Sequence, residues 1–233
     1  NGDVMDALEQ SVSALQTRTD LHAVVLTAAG GESFCSGGDL RWLQRFKTGN
    51  EGAQMGRRMQ RMLTALSNLP APVIGVLNGY ALGGGAEIAL ACDLRIMESH
   101  ASLCFKQVRV GLITGWAGGG RLVQLVGYPR AMELTILCPK IEPEHAQNIG
   151  LANQVVPSGT GLEVAFNWIE TLKRGGPRAI RAMKTLLRNV SAVDLEAATA
   201  LENQLFETVW SAPEHKTALD AFFKGEAPLF RGR

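Results

Sequence analysis

The chain has 233 residues, of which 46% are hydrophobic and only 19% are charged, and its formal net charge is +1. This length is enough to bury one sizeable core, in one domain or in a domain with a small appendage. The near-neutral balance excludes a basic surface for nucleic acid or an anionic membrane, and no apolar run reaches the roughly 18 residues of a membrane span. With no signal-peptide pattern either, the sequence predicts a soluble protein.

The spacing of cysteine and histidine argues against a metal centre. Cys35, Cys92, Cys104 and Cys138 contain no C-x-x-C pair, and the four histidines contain no H-x-x-x-H pair. Thiols in this pattern are expected to be reduced and to act as small core residues. We therefore expect a cytoplasmic protein without a bound metal.

The chain opens with a predicted helix and a predicted strand. Apolar residues at steps of three and four predict an amphipathic helix over residues 3–17, with an apolar face formed by Val4, Leu8, Val12 and Leu15. A β-branched run over residues 22–27 predicts a short strand. Because this run is apolar throughout and flanked by helices, it favours a parallel sheet covered on both faces.

Two more helices are predicted before the middle of the chain. The first covers residues 39–46 and follows the pair Gly37 and Gly38, whereas residues 47–52 are polar and predict a mobile loop. The second covers residues 53–68. One of its faces is rich in methionine and is interpreted as core, and it is formed by Met55, Met59, Met62, Leu63 and Leu66.

The most informative stretch begins with a predicted strand over residues 72–77, which leads into Gly83, Gly84, Gly85 and a helix over residues 86–92. Consecutive glycines cost backbone entropy, so they indicate a close approach to the backbone or a need for positive φ. At a helix N-terminus their free N–H groups favour an oxyanion or a phosphate. Glu87, in the first turn, can then act as an acid or a base. In the simpler alternative, the glycines only form a tight turn, and Glu87 only interacts favourably with the positive end of the helix dipole.

The remaining patterns place further glycines after strands and end in helices. Strand-like runs cover residues 94–97 and 102–105, and a glycine-rich stretch over 114–120 opens a helix over 121–126. Glycine clusters at the carboxyl ends of strands lie where α/β proteins bind ligands. From residue 129 onward, helices are predicted over 129–138, 143–149, 162–174, 177–188, 194–211 and 213–224. This helical end suggests a lid or an oligomer interface.

Three segments together resemble the crotonase superfamily, the enoyl-CoA hydratase/isomerase family. Residues 34–39 read Phe-Cys-Ser-Gly-Gly-Asp and are similar to its Phe-x-x-Gly-x-Asp segment. Residues 78–87 read Asn-Gly-Tyr-Ala-Leu-Gly-Gly-Gly-Ala-Glu and match its glycine-rich signature. Residues 111–122 resemble its Gly-(Leu/Ile)-Ile-Pro-Gly-x-x-Gly-x-x-Arg-Leu segment, so the resemblance covers nearly the whole chain.

The resemblance implies an α/β fold built as a crotonase-type spiral of ββα units with a helical C-terminal trimerisation region. Residues 1–128 would form the acyl-CoA-binding core, and residues 129–233 the helical region for oligomerisation and site closure. A pair of strands would be expected ahead of Asn1. The implied partners are an acyl-CoA thioester and other copies of the chain, as a homotrimer or a dimer of trimers. No separate cofactor is implied, because coenzyme A is part of the substrate.

The resemblance also assigns roles to residues. The N–H groups of Gly38 and Gly84 would form an oxyanion hole for the thioester oxygen, and Glu87 would correspond to the first of two catalytic glutamates. Residues Gly38, Asp39, Leu40 and Arg41 would line the path of coenzyme A, with Arg41 near its phosphates. This agrees with the chemistry of the family, in which charge develops on the oxygen of a thioester enolate and preset N–H donors stabilise it.

Two positions depart from the family pattern. The second catalytic glutamate is replaced by Gln107, and the proline of the third segment is replaced by Thr114. Glutamine cannot transfer a proton at neutral pH, although it can orient a water or a carboxylate by hydrogen bonds. Since water addition ordinarily uses two carboxylates, Gln107 raises a second hypothesis beside hydratase or isomerase chemistry.

That second hypothesis is a malonyl-CoA-type decarboxylase, acting on methyl- or ethylmalonyl-CoA, in which only one proton is returned to the product. The glycine-rich signature together with residues 208–210 resembles the ethylmalonyl-CoA decarboxylase branch. A non-catalytic protein that binds CoA thioesters is a third alternative. Nucleic-acid binding through Arg57, Arg58 and Arg61 is disfavoured, because three arginines on one helix usually form a solvated face.

Overall fold

A computed structural model describes residues 1–190, 194–228 and 230 of the chain. These residues form two compact units. The first comprises residues 1–17, 25–69 and 73–165, and it contains every candidate site residue named above. The second comprises residues 18–24, 70–72 and the chain from 166 onward.

The strands form two sheets. In chain order they are β1 (Val24–Leu26), β2 (Ser33–Cys35), β3 (Val73–Leu77), β4 (Tyr80–Leu82), β5 (Leu94–Glu98), β6 (Ser102–Cys104) and β7 (Gln154–Val156). One sheet has the order β1-β3-β5-β7 and the other β2-β4-β6. The β3–β5, β5–β7, β2–β4 and β4–β6 pairs are parallel, which confirms the predicted parallel arrangement. All five residues of β3 are buried, as an apolar run without alternation requires.

Ten helices are assigned within the described residues. They are α1 (Gly2–Gln16), α2 (Leu40–Leu43), α3 (Gly49–Ser67), α4 (Gly84–Leu90), α5 (Gly118–Ile136), α6 (Pro143–Asn148), α7 (Gly161–Leu172), α8 (Pro177–Asn189), α9 (Leu195–Trp210) and α10 (Pro213–Lys224). A 3₁₀ turn covers Gln107–Val110, and α5 changes direction at Gly127. The mixture of parallel strands and helices confirms the α/β class.

The predicted loop over residues 47–52 is wrong, because α3 begins at Gly49. Thr48 Oγ1 accepts a hydrogen bond from the N–H of Glu51, at 3.2 Å, and the Glu51 carboxylate accepts one from the N–H of Thr48, at 2.8 Å. This reciprocal capping box satisfies two backbone donors and starts the helix. The sequence contains the Thr-x-x-Glu spacing, Thr48 to Glu51, that is typical of a capping box.

The helix faces are only partly as predicted. On α3, Met59, Met62, Leu63 and Leu66 are buried, which confirms the core interpretation, whereas Met55 is half-buried. On α1, Met5 and Val12 are buried. Val4, which was predicted on the apolar face, is 62% exposed, because the buried stripe passes one position further along the helix.

Three short strands were missed, and one of them alters the path into the glycine run. The chain leaves β3 at Leu77, crosses to the second sheet and forms β4 before it reaches Gly83. β2 and β7 were missed in the same way. β1 and β6 are equally short but lie within longer apolar runs of the sequence, which β2, β4 and β7 lack.

Candidate active site

Two glycine-bearing segments meet at the N-terminus of α4. Gly37 has a φ of +94°, and a Cβ built on it would lie 2.6 Å from Leu82 O and 3.2 Å from Gly84 N. Only glycine fits this close approach, since a side chain would clash with the backbone of the neighbouring segment. Gly83, the N-cap of α4, has a φ of +51° and supplies no side-chain cap. The local backbone therefore brings the segment around Gly38 against the start of α4.

This junction carries two free N–H groups. Neither Gly38 N nor Gly84 N donates a hydrogen bond to any acceptor in the described part of the chain. Gly84 is the first residue of α4, so its N–H lies at the positive end of the helix dipole. Gly38 and Gly84 are the two residues predicted above to act as backbone donors, and their action on a thioester oxygen stays a prediction that is taken up below.

Glu87 lies in the first turn of α4, and its side chain is buried at 2% exposure. Its Oε2 accepts hydrogen bonds from the N–H groups of Trp116, at 2.7 Å, and Gly118, at 3.0 Å. Its Oε1 accepts from the N–H of Gly115, at 3.2 Å, and from Nε2 of Gln107, at 2.9 Å. Each carboxylate oxygen therefore accepts two hydrogen bonds, which matches its two lone pairs.

Burial and hydrogen bonding act in opposite directions on Glu87. Burial disfavours the charged carboxylate and raises its pKa, while the four donors favour the charged form and lower the pKa. Burial is the larger effect, so the pKa of Glu87 is raised above its ordinary value. A carboxyl group with a raised pKa is suited to transfer a proton near neutral pH.

Gln107 stands where the resemblance places a second glutamate, at the start of the 3₁₀ turn. Its Nε2 donates to Glu87 Oε1. The structure thus brings together Glu87 and Gln107, which lie 20 residues apart in the sequence. Because Gln107 is neutral, Glu87 is the single carboxylate of this hydrogen-bonded cluster.

Trp116 is part of the site and was not predicted as such. Its backbone N–H donates a hydrogen bond to the Glu87 carboxylate. Its indole ring lies so close to Gly84 that a Cβ on Gly84 would be 2.2 Å from the six-membered ring. The indole therefore forms an apolar wall beside one of the two free N–H donors. Trp116 belongs to the third of the sequence segments, residues 111–122, but nothing in that segment indicates which way its ring turns.

Thr114 takes a structural role at the position where the family pattern has proline. Its Oγ1 accepts a hydrogen bond from the N–H of Gly119, at 3.1 Å, in the first turn of α5. The N-cap of α5 is Ala117, which has no side chain able to accept such a bond. Thr114 thereby satisfies a free backbone donor at this helix start.

The predicted CoA-path residues lie at the start of α2. Asp39 is the N-cap of α2, and its carboxylate accepts from the N–H groups of Arg41, at 3.0 Å, and Trp42, at 3.1 Å. Leu40 is 59% exposed. Asp39 and Arg41 both line a cavity of about 240 Å³. These residues directly follow Gly38 in the sequence, and none of them is among the hydrogen-bond donors to the Glu87 carboxylate.

The described residues contain neither a metal site nor a membrane-spanning helix. No group of three or more His, Cys, Asp or Glu side chains there is placed to hold a metal ion. Within residues 1–190 and 194–228, no helix has the length and apolar composition to span a lipid bilayer.

The whole chain matches a known protein family. The family described as enoyl-CoA hydratase/isomerase matches residues 1–233. The ethylmalonyl-CoA decarboxylase of Danio rerio is 34% identical over 223 residues, covering 94% of this chain and 74% of that protein. The short-chain-enoyl-CoA hydratase of Clostridium acetobutylicum is 31% identical over 224 residues, covering 96% of this chain and 85% of that protein.

Similar solved structures belong to the same family. The enoyl-CoA hydratase of Bacillus anthracis superimposes with a TM-score of 0.94 at 31% identity, covering 100% of this chain and 90% of that one. These matches confirm both the resemblance and the fold class drawn from the three sequence segments. The chain belongs to the enoyl-CoA hydratase/isomerase family and has the crotonase fold.

Proposed function

We propose that this chain is an acyl-CoA-processing enzyme that removes CO₂ from a malonyl-CoA-type thioester, such as ethylmalonyl- or methylmalonyl-CoA. The observation that carries the proposal is the pairing of one buried carboxylate, Glu87, with the neutral amide of Gln107. Several relatives of this chain, including those of Danio rerio and Xenopus laevis at 34% and 35% identity, are ethylmalonyl-CoA decarboxylases.

The substrate's own charge explains why a neutral residue fits position 107. A malonyl-type thioester brings a carboxylate into the site, and a second carboxylate beside it would repel that group. Two unit charges about 4 Å apart interact by about 4 kcal/mol at an effective dielectric constant of about 20. The amide of Gln107 has two N–H donors, so it can hold Glu87 and also face the substrate carboxylate.

In the first chemical step the bond between the α-carbon and the carboxylate carbon breaks, and CO₂ leaves. The electron pair of that bond moves into the thioester and forms an enolate, whose negative charge develops on the thioester oxygen. The N–H groups of Gly38 and Gly84 would stabilise this oxygen, and losing one such donor typically costs about 10²–10³ in rate. The ring of Trp116 beside Gly84 would exclude water, which strengthens these interactions.

The second step returns a proton to the α-carbon. Protonated Glu87 would donate it, leaving a saturated acyl-CoA, and water would then reprotonate the carboxylate. The overall reaction consumes one proton and releases one CO₂, so one carboxyl group is sufficient. The raised pKa of Glu87 supports this role, because it increases the protonated fraction at neutral pH.

The second candidate is an enoyl-CoA hydratase or isomerase, and one observation favours it. The four hydrogen-bond donors around Glu87 all stabilise its charged form, which is the form of a general base. A base at this position could remove an α-proton during isomerisation. Hydration would require Glu87 to serve both proton transfers, since Gln107 cannot take part.

Two substrates offered in parallel distinguish these reactions. Ethylmalonyl-CoA and crotonyl-CoA are incubated separately with the wild type and with Glu87→Gln, and the thioester products are followed by mass. Conversion of ethylmalonyl-CoA to butyryl-CoA, slowed in Glu87→Gln, is the expected result. Turnover of crotonyl-CoA alone would replace decarboxylation by the second candidate, and thioester binding without turnover of either substrate would contradict both.

The dependence of kcat/KM on pH independently distinguishes Glu87 acting as an acid from Glu87 acting as a base. If Glu87 acts as an acid, kcat/KM falls as pH rises through its raised pKa, because the proton donor is lost. If Glu87 acts as a base, kcat/KM falls as pH decreases through the same pKa. For decarboxylation we expect the first direction, measured with ethylmalonyl-CoA.

We further propose that the active form is a homotrimer or a dimer of trimers. The second unit exposes large aromatic side chains on α9 and α10, with exposures of 63% for Phe206, 59% for Trp210, 76% for Phe222 and 81% for Phe223. Exposed apolar patches of this kind mark association surfaces. Sedimentation analysis of the purified protein is expected to give three or six copies, and a monomer at micromolar concentration would contradict the proposal.

A further inference from the structure

Gln60 lies on α3, outside all three sequence segments, and makes one contact with the site. Its Nε2 donates a hydrogen bond to Gly115 O at 2.8 Å. That oxygen belongs to the peptide unit whose N–H is the N–H of Trp116. The same N–H donates to Glu87 Oε2 at 2.7 Å, the shortest of the four hydrogen bonds to this carboxylate. One planar peptide unit therefore joins Gln60 to Glu87.

A hydrogen bond to a peptide oxygen changes the other end of that peptide. Donation to the carbonyl increases the polarity of the amide and makes its N–H a stronger donor. Chains of hydrogen bonds strengthen each member by about 10–30%. The bond from Gln60 to Gly115 O consequently strengthens the bond from Trp116 N–H to Glu87.

We propose that Gln60 is a positioning residue, which fixes the Gly115–Trp116 peptide and sets how strongly its N–H binds the Glu87 carboxylate. This inference rests on the proposed role of Glu87 in proton transfer. It does not depend on which of the two candidate reactions the enzyme performs.

The packing of α3 allows Gln60 to reach its partner. Gly56 lies one turn before Gln60, and a Cβ on it would be 3.2 Å from Gly115 O, so glycine lets this carbonyl approach the helix. Met59 and Leu63 are buried on either side of Gln60 in the sequence. Arg58 pairs with Glu9 on α1, at 2.5 Å, which attaches the outer face of α3 as well. Gln60 is therefore held on a fixed support.

Several charged side chains lie on the elements that supply the partners of Glu87. They are Lys106 and Arg109, which flank Gln107, and Arg121 on α5, whose Nη1 donates to Trp116 O at 3.0 Å. The thiol-bearing residue Cys35 on β2 also lies beside Gly85 of α4. None of these groups is changed by a substitution at Gln60. A difference in inflection between the wild type and a Gln60 variant therefore reports the group that the Gly115–Trp116 peptide contacts, which is Glu87.

The test compares the pH profiles of kcat/KM for the wild type, Gln60→Leu and Gln60→Lys on whichever substrate is turned over. Gln60→Leu removes the donor, so the charged form of Glu87 loses stabilisation and the inflection is expected to move upward by about 0.3 pH unit. Gln60→Lys retains a donor and is expected to leave the inflection at or below that of the wild type. Gln54→Leu, an exposed glutamine of the same helix, is the matched control and is expected to change nothing.

The outcomes separate this inference from the proposed function. An upward shift in Gln60→Leu that is absent in Gln60→Lys and Gln54→Leu supports it. An unchanged inflection in Gln60→Leu, or an equal shift in Gln60→Lys, would overturn it while leaving the role of Glu87 intact. Residual activity of Glu87→Gln that keeps the wild-type inflection would overturn the role of Glu87 itself. If Gln60→Leu does not fold, Gly56→Ala tests the same peptide by crowding Gly115 O, and an unchanged inflection would again overturn the inference.

Discussion

Glu87 and Glu98 are two buried carboxylates of the first unit, and their surroundings differ in a way that separates function from structure. Glu98 is 5% exposed, and its two oxygens accept from the N–H groups of Gly159, at 2.8 Å, and Gly161, at 3.0 Å, at the start of α7. Glu87 also binds backbone N–H groups, and Nε2 of Gln107 donates to it at 2.9 Å, whereas the side chain facing Glu98 is His100, whose Nδ1 lies 3.8 Å from Oε2. Glu87 also lies one turn from the free N–H of Gly84. Burial alone does not identify the reactive group. The adjoining free donors do.

The distinction between a reactive Glu87 and a structural Glu98 is tested most strongly by the substitution Glu87→Gln. This change removes the only group in the hydrogen-bonded cluster that can transfer a proton, so kcat is expected to fall by about 10²–10⁴-fold. The rate is measured with ethylmalonyl-CoA, and circular dichroism checks that the fold is retained. A folded variant with wild-type kcat would show that Glu87 has the same structural role as Glu98.

Gly84→Ala tests the apolar wall that the Trp116 ring forms beside Gly84. The added methyl would lie 2.2 Å from the Trp116 ring, so the ring must move away from the candidate oxyanion hole. Relief of this clash would displace the Gly84 N–H as well as the ring, so we expect kcat/KM to fall by up to about 10²–10³-fold, the cost of losing one well-placed donor. Gly120→Ala is the matched control, because a Cβ on that exposed helical glycine meets nothing within 4 Å. An equal loss in both variants would contradict the special role of Gly84.

Gln107→Glu introduces the second carboxylate that the family pattern carries. Repulsion between this group and the substrate carboxylate is expected to lower kcat/KM for ethylmalonyl-CoA by about 10–10²-fold. Crotonyl-CoA carries no such carboxylate, so it provides the internal control. A variant that decarboxylates as fast as the wild type would remove the main support for a neutral residue at this position.

Glu98→Gln is expected to have the smallest effect on activity and a clear effect on stability. The amide can accept at only one of the two oxygens, so one of the glycine N–H groups at the start of α7 loses its partner. The free energy of unfolding is expected to fall by about 1–3 kcal/mol, while kcat/KM stays close to that of the wild type. Thermal denaturation followed beside the kinetic assay checks both. A large loss of activity without loss of stability would contradict the distinction between the two carboxylates.

The sequence predicted the parts of this molecule that depend on local patterns. The long apolar strand β3, the helices with clear periodicity and the glycine run before α4 leave strong local signals. The meeting of Gln107 with Glu87 could be expected only from the family resemblance, because residues 20 apart carry no local sign of contact.

The contacts that were missed are the ones that tertiary packing decides. The turn of the Trp116 ring onto Gly84 and the reach of Gln60 across to Gly115 O depend on how α3, α4 and the 114–118 segment pack together. Glu98 was missed for the same reason, since its partners lie more than 60 residues further along the chain. No periodicity or spacing in the sequence encodes such contacts.

The most direct test of the central claim follows the proton that Glu87 would deliver. Ethylmalonyl-CoA is turned over in D₂O by the wild type and by Glu87→Gln, and the butyryl-CoA formed is examined by mass spectrometry and NMR. We expect one deuterium at the α-carbon in a single configuration for the wild type, with much slower product formation and mixed configuration for the variant. Equal rates and the same single configuration in both proteins would contradict Glu87 as the proton donor.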